Sequence, residues 1–146
     1  MYTSPEVVVQ RQLDAYNSKD LDGWLSTYAP DARQYELGGK LLAEGHEQIK
    51  ARTAPRFLES TLHARLIRRE VMGNVVVDYE DVSRTFPEGP GRIELVCVYV
   101  VEQGQIQSAS FAFGPPVLTG ALGGKNVMCQ IDANGYDCHG TSPCTG

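Results

Sequence analysis

Residues 75–85 read Val-Val-Val-Asp-Tyr-Glu-Asp-Val-Ser-Arg-Thr, and this stretch anchors the pattern that decides the fold. Its β-branched residues predict a strand, in which successive side chains point to opposite faces. The charged side chains of one face are Asp78, Glu80 and Arg84. We expect that charged face to meet solvent, which turns Tyr79 and Asp81 inward. The sequence therefore predicts an inward carboxylate at Asp81, beside Tyr79.

Similar strand patterns surround this stretch on both sides. They cover residues 62–72, 92–102 and 105–113. The connections Gly73-Asn74, Pro87–Gly91 and Gln103-Gly104 are typical of hairpin turns. We therefore predict four consecutive strands that pair antiparallel as a meander.

The residues before the meander have a helical period instead. Pro5 suits the first position of a helix over 5–17, because its missing N–H is not needed there. An apolar stripe at i, i+3, i+4 and i+7 predicts a second helix over 20–29. A third helix is predicted over 46–60, with Pro55 expected to kink or restart it, and a short strand over 32–37.

Helices followed by an antiparallel meander are typical of the α+β class. The sequence predicts a cone-shaped α+β barrel, in which three N-terminal helices pack on a curled antiparallel β-sheet meander. A long, curled meander wrapped around a helix encloses a pocket. We expect this domain to occupy residues 1–116.

Length and composition exclude several classes of function. A chain of 146 residues is expected to form one domain with a substantial core. The net charge of −5 argues against a nucleic-acid partner and against an anionic membrane surface. No apolar run approaches the ~18 residues of a spanning helix, and the first residues lack the pattern of a signal peptide. A cytoplasmic location is expected.

Residues 117–146 form a Gly-rich tail that we expect to be an appendage to the domain. It contains one possible small hairpin, between Val127–Ile131 and Tyr136–His139, which would face Cys129 with Cys138. The cysteines do not form a disulfide framework for the whole domain.

Four residues of the tail admit two interpretations. They are Cys129, Cys138, His139 and Cys144. They form either a zinc set or structural thiols, free or paired, and the spacing lacks the paired Cys-x-x-Cys of zinc knuckles. We predict no metal and no cofactor.

Several stretches resemble a known superfamily. The string from Val9 to Glu36 resembles the opening of ketosteroid isomerase and SnoaL-like proteins, which belong to the superfamily named after nuclear transport factor 2. Leu62–Arg65, Arg84–Gly89 and Phe113–Pro115 extend the likeness, which covers residues 5–116. The resemblance implies the cone-shaped fold. Members use this cone as isomerases, cyclases, epoxide hydrolases and non-enzymatic binders.

The resemblance to ketosteroid isomerase also implies site residues. Glu36 stands at the position of its general base. Gln12 and Cys97 stand where that enzyme has a tyrosine and a protonated aspartate as oxyanion donors. Because cysteine is a poor substitute for a neutral carboxyl, steroid isomerisation is not expected.

Two other branches imply roles for Asp81. It matches the first aspartate of the limonene epoxide hydrolase set, although Tyr79 replaces the arginine and an apolar run, Phe111–Phe113, replaces the closing aspartate. SnoaL-type cyclases use a pocket acid and a histidine for proton transfer, roles that match Asp81 and His63.

The candidate catalytic residues are therefore Asp81, His63, Glu36 and Tyr79, and each has an alternative. Asp81 is either functional or a structural carboxylate with a polar partner. His63 is either a proton shuttle or a hydrogen-bonded rim residue. Glu36 faces inward by the resemblance, whereas plain hydrophobicity would turn its two neighbours inward instead.

We expect the pocket wall to combine residues from two helical stripes with residues from two strands. They are Gln12, Tyr16, Trp24, Tyr28, Cys97, Tyr99, Phe111 and Phe113. For Trp24 and Tyr28 the alternative is a place in the core. For Cys97 it is that of a buried apolar filler.

Two functions remain open from the sequence. The first is a cofactor-free acid/base enzyme, an isomerase, cyclase or hydrolase, acting on a small apolar molecule. The second is a cone that binds a hydrophobic ligand without catalysis or serves as a dimeric scaffold. The row Val96, Val98 and Val100 on the outer sheet face needs a cover, so a homodimer through that face is expected.

Overall fold

The computed structural model describes residues 3–119, together with the short strands at 121–122, 125–126 and 129–130. Its helices are α1 (Pro5–Asn17), α2 (Leu21–Ser26), α3 (Gly45–Thr53) and a 3₁₀ turn (Ala54–Leu58). The strands before and within the meander are β1 (Tyr28–Glu36), β2 (Leu41–Glu44), β3 (His63–Met72), β4 (Val75–Phe86), β5 (Gly89–Glu102) and β6 (Gln105–Phe113). The short strands that follow are β7 (Val117–Leu118), β8 (Ala121–Leu122), β9 (Lys125–Asn126) and β10 (Cys129–Gln130).

Local signals in the sequence explain the helix starts. The Ser4 hydroxyl accepts the Val7 N–H at 3.4 Å and caps α1, with Pro5 directly after it. A carboxylate oxygen of Asp20 accepts the Gly23 N–H at 3.0 Å and caps α2. The third helix ends at Thr53 and continues as the 3₁₀ turn, as Pro55 led us to expect.

The second helix ends earlier than predicted, at Ser26 rather than 29. Tyr28, the last residue of the predicted stripe, instead begins β1 and pairs with Ile106 of β6. Pro30 cannot extend the helix, and it falls where the β1–β6 register shifts. Pairing with β6 therefore places in a strand residues that the helical periodicity alone assigns to α2.

The predicted meander is confirmed. The strands β3, β4, β5 and β6 pair antiparallel in chain order, and only two residues, Pro87 and Glu88, connect β4 to β5. The sheet as a whole is mixed, because β1 joins β6 in parallel and carries β2 at its edge. The helices and this curled sheet form the predicted α+β cone.

The first residues of the predicted tail belong to the sheet. Val117 and Leu118 pair with the start of β5, and β10 pairs with β7. A methyl group on Gly91 would lie 2.5 Å from the Val117 carbonyl oxygen, so β7 can approach only because residue 91 lacks a side chain. The second strand of the predicted tail hairpin lies outside the described residues, as do Cys138, His139 and Cys144.

The predicted orientation of β4 is wrong. Asp78 and Glu80 face the helices and are 0% and 5% exposed, whereas Tyr79 and Asp81 are on the outer face. Asp78 is tolerated inside because it forms a two-pronged ion pair with Arg69, at 2.7 and 2.9 Å. Counting charges on each face failed for Asp78 because its charge is neutralised by Arg69 and does not need water.

Asp81 is nevertheless shielded on the outer face. Its Oδ2 lies 3.2 Å from Nη2 of Arg65 and 3.6 Å from Nη1 of Arg92. The two arginines cover it, which explains why only 8% of Asp81 is exposed. It is a structural carboxylate of the sheet exterior.

None of the helices in the described part of the chain has the length and apolar character needed to cross a lipid bilayer.

Candidate functional site

The inner face of the sheet and the helices enclose a cavity of about 160 Å³. The structure places all eight predicted wall residues on it: Gln12, Tyr16, Trp24, Tyr28, Cys97, Tyr99, Phe111 and Phe113. Helix α1 contributes Gln12 and Tyr16 one turn apart, and β5 contributes every second residue. The wall combines apolar side chains with several polar ones.

The four predicted catalytic residues do not line this cavity. Asp81 and Tyr79 lie on the outer face, where the Tyr79 hydroxyl donates to Oε1 of Glu94 at 3.0 Å. His63 is exposed at the start of β3 and pairs with Ser83 in the register, whereas the next residue, Ala64, lines the cavity.

Glu36 lies outside the cavity for a different reason. Gln34, two residues earlier on β1, is 1% exposed and lines the cavity, but Glu36 itself is exposed and does not take the inward position that the resemblance implies. Leu37 is 58% exposed, and the expectation based on hydrophobicity is wrong. Because Glu36 is the last residue of β1, its side chain is exposed and interacts electrostatically with Arg52.

The one carboxyl among the described lining residues is Glu80, at the centre of β4. Burial and, to a smaller extent, the negative charge of Asp78 raise the pKa of Glu80 to about 7, against the opposing effect of the positive charge of Arg69. The carboxyl shares its face with Cys97, which lies diagonally across on β5. Glu80 is therefore populated in both protonation states near neutral pH.

The phenols and the thiol of the inner wall remain neutral. Burial raises the pKa values of Tyr16 and Tyr28, and it raises the pKa of the Cys97 thiol well above its ordinary value. The Tyr28 hydroxyl accepts a hydrogen bond from Nε2 of Gln34 at 3.3 Å. Neutral phenols in a buried site are hydrogen-bond donors for an oxygen that gains negative charge.

Besides Nε of Arg84, two buried polar atoms on the wall lack a partner among the described residues. They are Oε1 of Gln12, on a residue 5% exposed, and Nε1 of Trp24, on a residue 3% exposed. Buried polar groups in proteins are almost always hydrogen-bonded. These two atoms are therefore available to polar groups of a bound molecule or to water.

Three arginines line the more exposed end of the cavity. The Arg52 guanidinium lies 5.6 Å from the Phe111 ring centroid and donates from Nη1 to Oε1 of Gln34 at 3.1 Å. Arg56 pairs with Glu59 at 3.1 Å. Arg84 follows Glu80 on the same face of β4, with its guanidinium 4.9 Å from the Phe86 ring centroid.

Sequence reasoning missed Glu80 and the arginines, although a signal for Glu80 was present. Cys97 was predicted to face inward, and residues directly opposite each other in an antiparallel pair share a face. The hairpin pairs even-numbered residues of β4 with odd-numbered residues of β5, so that Asp78 is opposite Cys97 and Glu80 is opposite Leu95. The predicted strands end at residue 85 and begin again at residue 92. Pairing these two residues likewise places even-numbered residues of β4 opposite odd-numbered residues of β5. The register of the hairpin, rather than the composition of one strand, identifies the inner carboxyl.

Among the described residues, no group of three or more His, Cys, Asp or Glu side chains is arranged to hold a metal ion.

Comparison with known proteins points to one family. The SnoaL-like domain matches residues 9–109 of the chain. No curated protein matches the chain at a significant level.

Solved structures match the fold at low sequence identity. An uncharacterised cystatin-fold protein from Novosphingobium aromaticivorans is 24% identical, with a TM-score of 0.69 over 75% of this chain and 98% of that one. An epoxide hydrolase resembling limonene epoxide hydrolase, from Mycobacterium tuberculosis, is 14% identical, with a TM-score of 0.63 over 75% and 81%. A putative SnoaL-like polyketide cyclase from Jannaschia is 20% identical, with a TM-score of 0.62 over 75% and 84%. Further matches have nuclear transport factor 2-like and ketosteroid isomerase-like folds.

Proposed function

The chain belongs to the SnoaL-like domain family, and from this premise we propose that it is a cofactor-free acid/base enzyme acting on a small, largely apolar molecule. Glu80 is the proposed proton-transfer group. The observation that carries the proposal is a carboxyl with a pKa of about 7, facing a cavity. An acid or base works best when its pKa is close to the operating pH.

The surroundings of Glu80 suit the stabilisation of a developing oxyanion. When Glu80 takes a proton from carbon, negative charge moves to an oxygen of the substrate. Tyr16 is a neutral donor on the same wall, and the unpartnered Nε1 of Trp24 is another. Isomerisation and cyclisation require proton transfer from carbon, whereas epoxide hydrolysis requires a proton to leave the attacking water and another to reach the epoxide oxygen. The epoxide hydrolase and polyketide cyclase above support acid/base chemistry of this general class through the fold alone.

The alternative is a cone that binds a hydrophobic ligand without catalysis. Two substitutions favour it: Gln12 and Cys97 line the cavity where ketosteroid isomerase has its oxyanion donors. The described lining residues also include no histidine and no second carboxyl. Under this alternative Glu80 is a polar contact for the ligand.

A generic proton-abstraction reaction separates the two functions. 5-Nitrobenzisoxazole is a small aromatic compound whose ring opens when a base removes its single C3 proton, breaking the N–O bond to give a coloured cyanophenolate. We expect turnover to increase with pH with a midpoint near 7, because the carboxylate form of Glu80 is the base. Glu80→Gln should lower the rate by about 100-fold or more.

Asp81→Asn is the matched control, since it makes the same acid-to-amide change one residue away on the outer face. It should retain turnover. A wild-type rate no higher than that of Glu80→Gln would contradict the enzymatic proposal. Binding of the compound without turnover would favour the ligand-binding alternative.

We also propose a homodimer through the outer face of the sheet. Val96, Val98 and Val100 are half-buried there, and across the ladder Val98 is opposite Val77 and Val100 is opposite Val75. A second copy of the chain would cover this valine surface. Val98→Asp should shift the protein to a monomer in sedimentation velocity at micromolar concentration, whereas Val7→Asp, at a position of α1 that is 43% exposed, should not. A wild-type monomer would contradict the proposal.

The cytoplasmic location stays a prediction.

A further inference from the structure

We infer that the molecule bound in this cavity carries a carboxylate, which Arg52 and Arg84 hold at the exposed end while its apolar part reaches toward Glu80. This inference rests on the proposed function and names the substrate class of the same site. The ligand is thus an amphipathic carboxylic acid with an apolar body of about one ring.

The order of residues along β4 carries the geometry. Glu80, Val82 and Arg84 occupy alternate positions on the inner face and all three line the cavity. The four residue steps from Glu80 to Arg84 span about 13 Å between the Cα atoms. An acid, an apolar wall and a cation therefore follow one another along a single strand, at a spacing that suits a short amphipathic molecule.

The arginines at the exposed end have unused charge. Neither Arg52 nor Arg84 forms an ion pair with any residue that the structure describes, whereas Arg56 pairs with Glu59. The Nε atom of Arg84 is buried without a hydrogen-bond partner within the same part of the chain. A buried donor without an acceptor is unfavourable, and an incoming anion would satisfy it.

The electrostatic environment of Arg52 points in the same direction. Burial lowers the pKa of the Arg52 guanidinium, and the nearby positive charge of Arg56 lowers it as well, against the opposing influences of Tyr28, Tyr16 and Glu36. An anion placed between like charges in a partly desolvated site reduces the repulsion between them. Glu36 is exposed at the end of β1 and does not fill this place.

The aromatic rings favour a flat anion. The Arg52 guanidinium lies over the ring of Phe111 and that of Arg84 over the ring of Phe86, so a cation–π contact helps to position each of them. A guanidinium fixed in this way offers its N–H edge, which matches the two oxygens of a carboxylate.

The rest of the cavity sets the size of the apolar part. Its volume of about 160 Å³ is similar to that of an apolar protein cavity of ~150 Å³ known to hold benzene. Phe111 and Phe113 lie with ring centroids 6.0 Å apart on the wall, beside Leu95 and Val82. An aromatic ring with a short chain therefore fits.

The inference is tested with two probes that differ in charge, 4-phenylbutanoate and its neutral isostere 4-phenylbutanamide. Trp24 is the single tryptophan of the chain and lines the cavity, so its fluorescence reports binding directly. Measured at pH 6, where Glu80 is mostly protonated, the acid should bind at least tenfold more tightly than the amide. Higher salt should weaken binding of the acid and leave binding of the amide unchanged.

Substitutions of the arginines then show which side chains bind the carboxylate of the probe. Arg52→Gln and Arg84→Gln should each weaken binding of the acid about tenfold and leave binding of the amide unchanged. Arg84→Lys should restore only part of the loss, because it keeps the charge without the planar fork. Arg92→Gln is the control, since this exposed arginine pairs with Asp81 on the outer face.

Equal affinity for the acid and the amide would overturn the inference, and so would the absence of binding by both. Both comparisons use the unmodified protein and do not depend on how any variant folds. If the wild type still opens 5-nitrobenzisoxazole through Glu80 in that case, the proposed function stands and only the substrate class is wrong.

Discussion

Glu80→Gln should stabilise the protein at neutral and alkaline pH, although it alters a proposed active-site residue. The folded cavity holds the pKa of Glu80 at about 7, against an ordinary value of 4.5. Between these two values the folded state binds a proton that the unfolded state has released. Stability therefore falls as pH rises from about 4.5 to about 7, and the loss is complete above the folded pKa.

The structure sets the magnitude of this effect. One pH unit of difference between the two pKa values corresponds to about 1.4 kcal/mol, so the interval corresponds to about 3 kcal/mol in the free energy of unfolding. This conversion applies because only 5% of Glu80 is exposed. Gln keeps the size and polarity of the side chain and removes the charge. The gain should be near zero at pH 4.5 and should approach about 3 kcal/mol at pH 8.

Urea denaturation of both proteins at intervals from pH 4.5 to pH 8 measures the difference directly. Comparing them at each pH cancels the contributions of other titrating groups. Asp81→Asn is again the control. It removes a carboxylate that two arginines cover, so it should destabilise rather than stabilise. A difference between wild type and Glu80→Gln that does not change with pH would refute the argument, because it would mean that Glu80 titrates alike in both states.

Two further predictions concern the framework of the cavity. Arg69→Met should cost about 3–5 kcal/mol in urea denaturation at pH 7, because it leaves Asp78 buried and unpaired; a cost below about 1 kcal/mol would contradict the importance of this pair. Gly91→Ala should detach β7 from β5, because the new methyl group collides with the Val117 carbonyl. Amide exchange at Thr119, whose N–H donates to the Pro90 carbonyl at 3.1 Å, should then accelerate, and unchanged protection would contradict the close approach.

The meander could be predicted from the sequence because its signals are local. Alternating β-branched residues favour strands, and Gly73-Asn74 and Gln103-Gly104 favour tight turns whatever surrounds them. The signal for the start of α1 is equally local, since Ser4 caps the helix and Pro5 suits its first turn. The stripe through Cys97 and Tyr99 also indicated the inner wall, because alternate residues of a strand share one face and are buried together.

The end of α2 and the inner face of β4 depended on contacts between distant parts of the chain. Tyr28 fits a helical stripe, but β6 supplies backbone partners that a helix around Pro30 cannot replace. Asp78 is inside because Arg69, on the neighbouring strand, neutralises it, and Asp81 is outside although it is almost as buried.

The properties of Glu80 are decided by tertiary structure alone. An isolated strand gives every glutamate the same pKa, and only the enclosure by α1 and β5, next to the charge of Asp78, raises this one to about 7. The arginines meet in the same way, since α3 and the 3₁₀ turn carry Arg52 and Arg56 to the face of β4 that carries Arg84. The sequence determines which elements form, because hydrogen bonding and side-chain alternation act between near neighbours. The chemistry of the site arises from burial and long-range charge, which exist only once those elements have packed together.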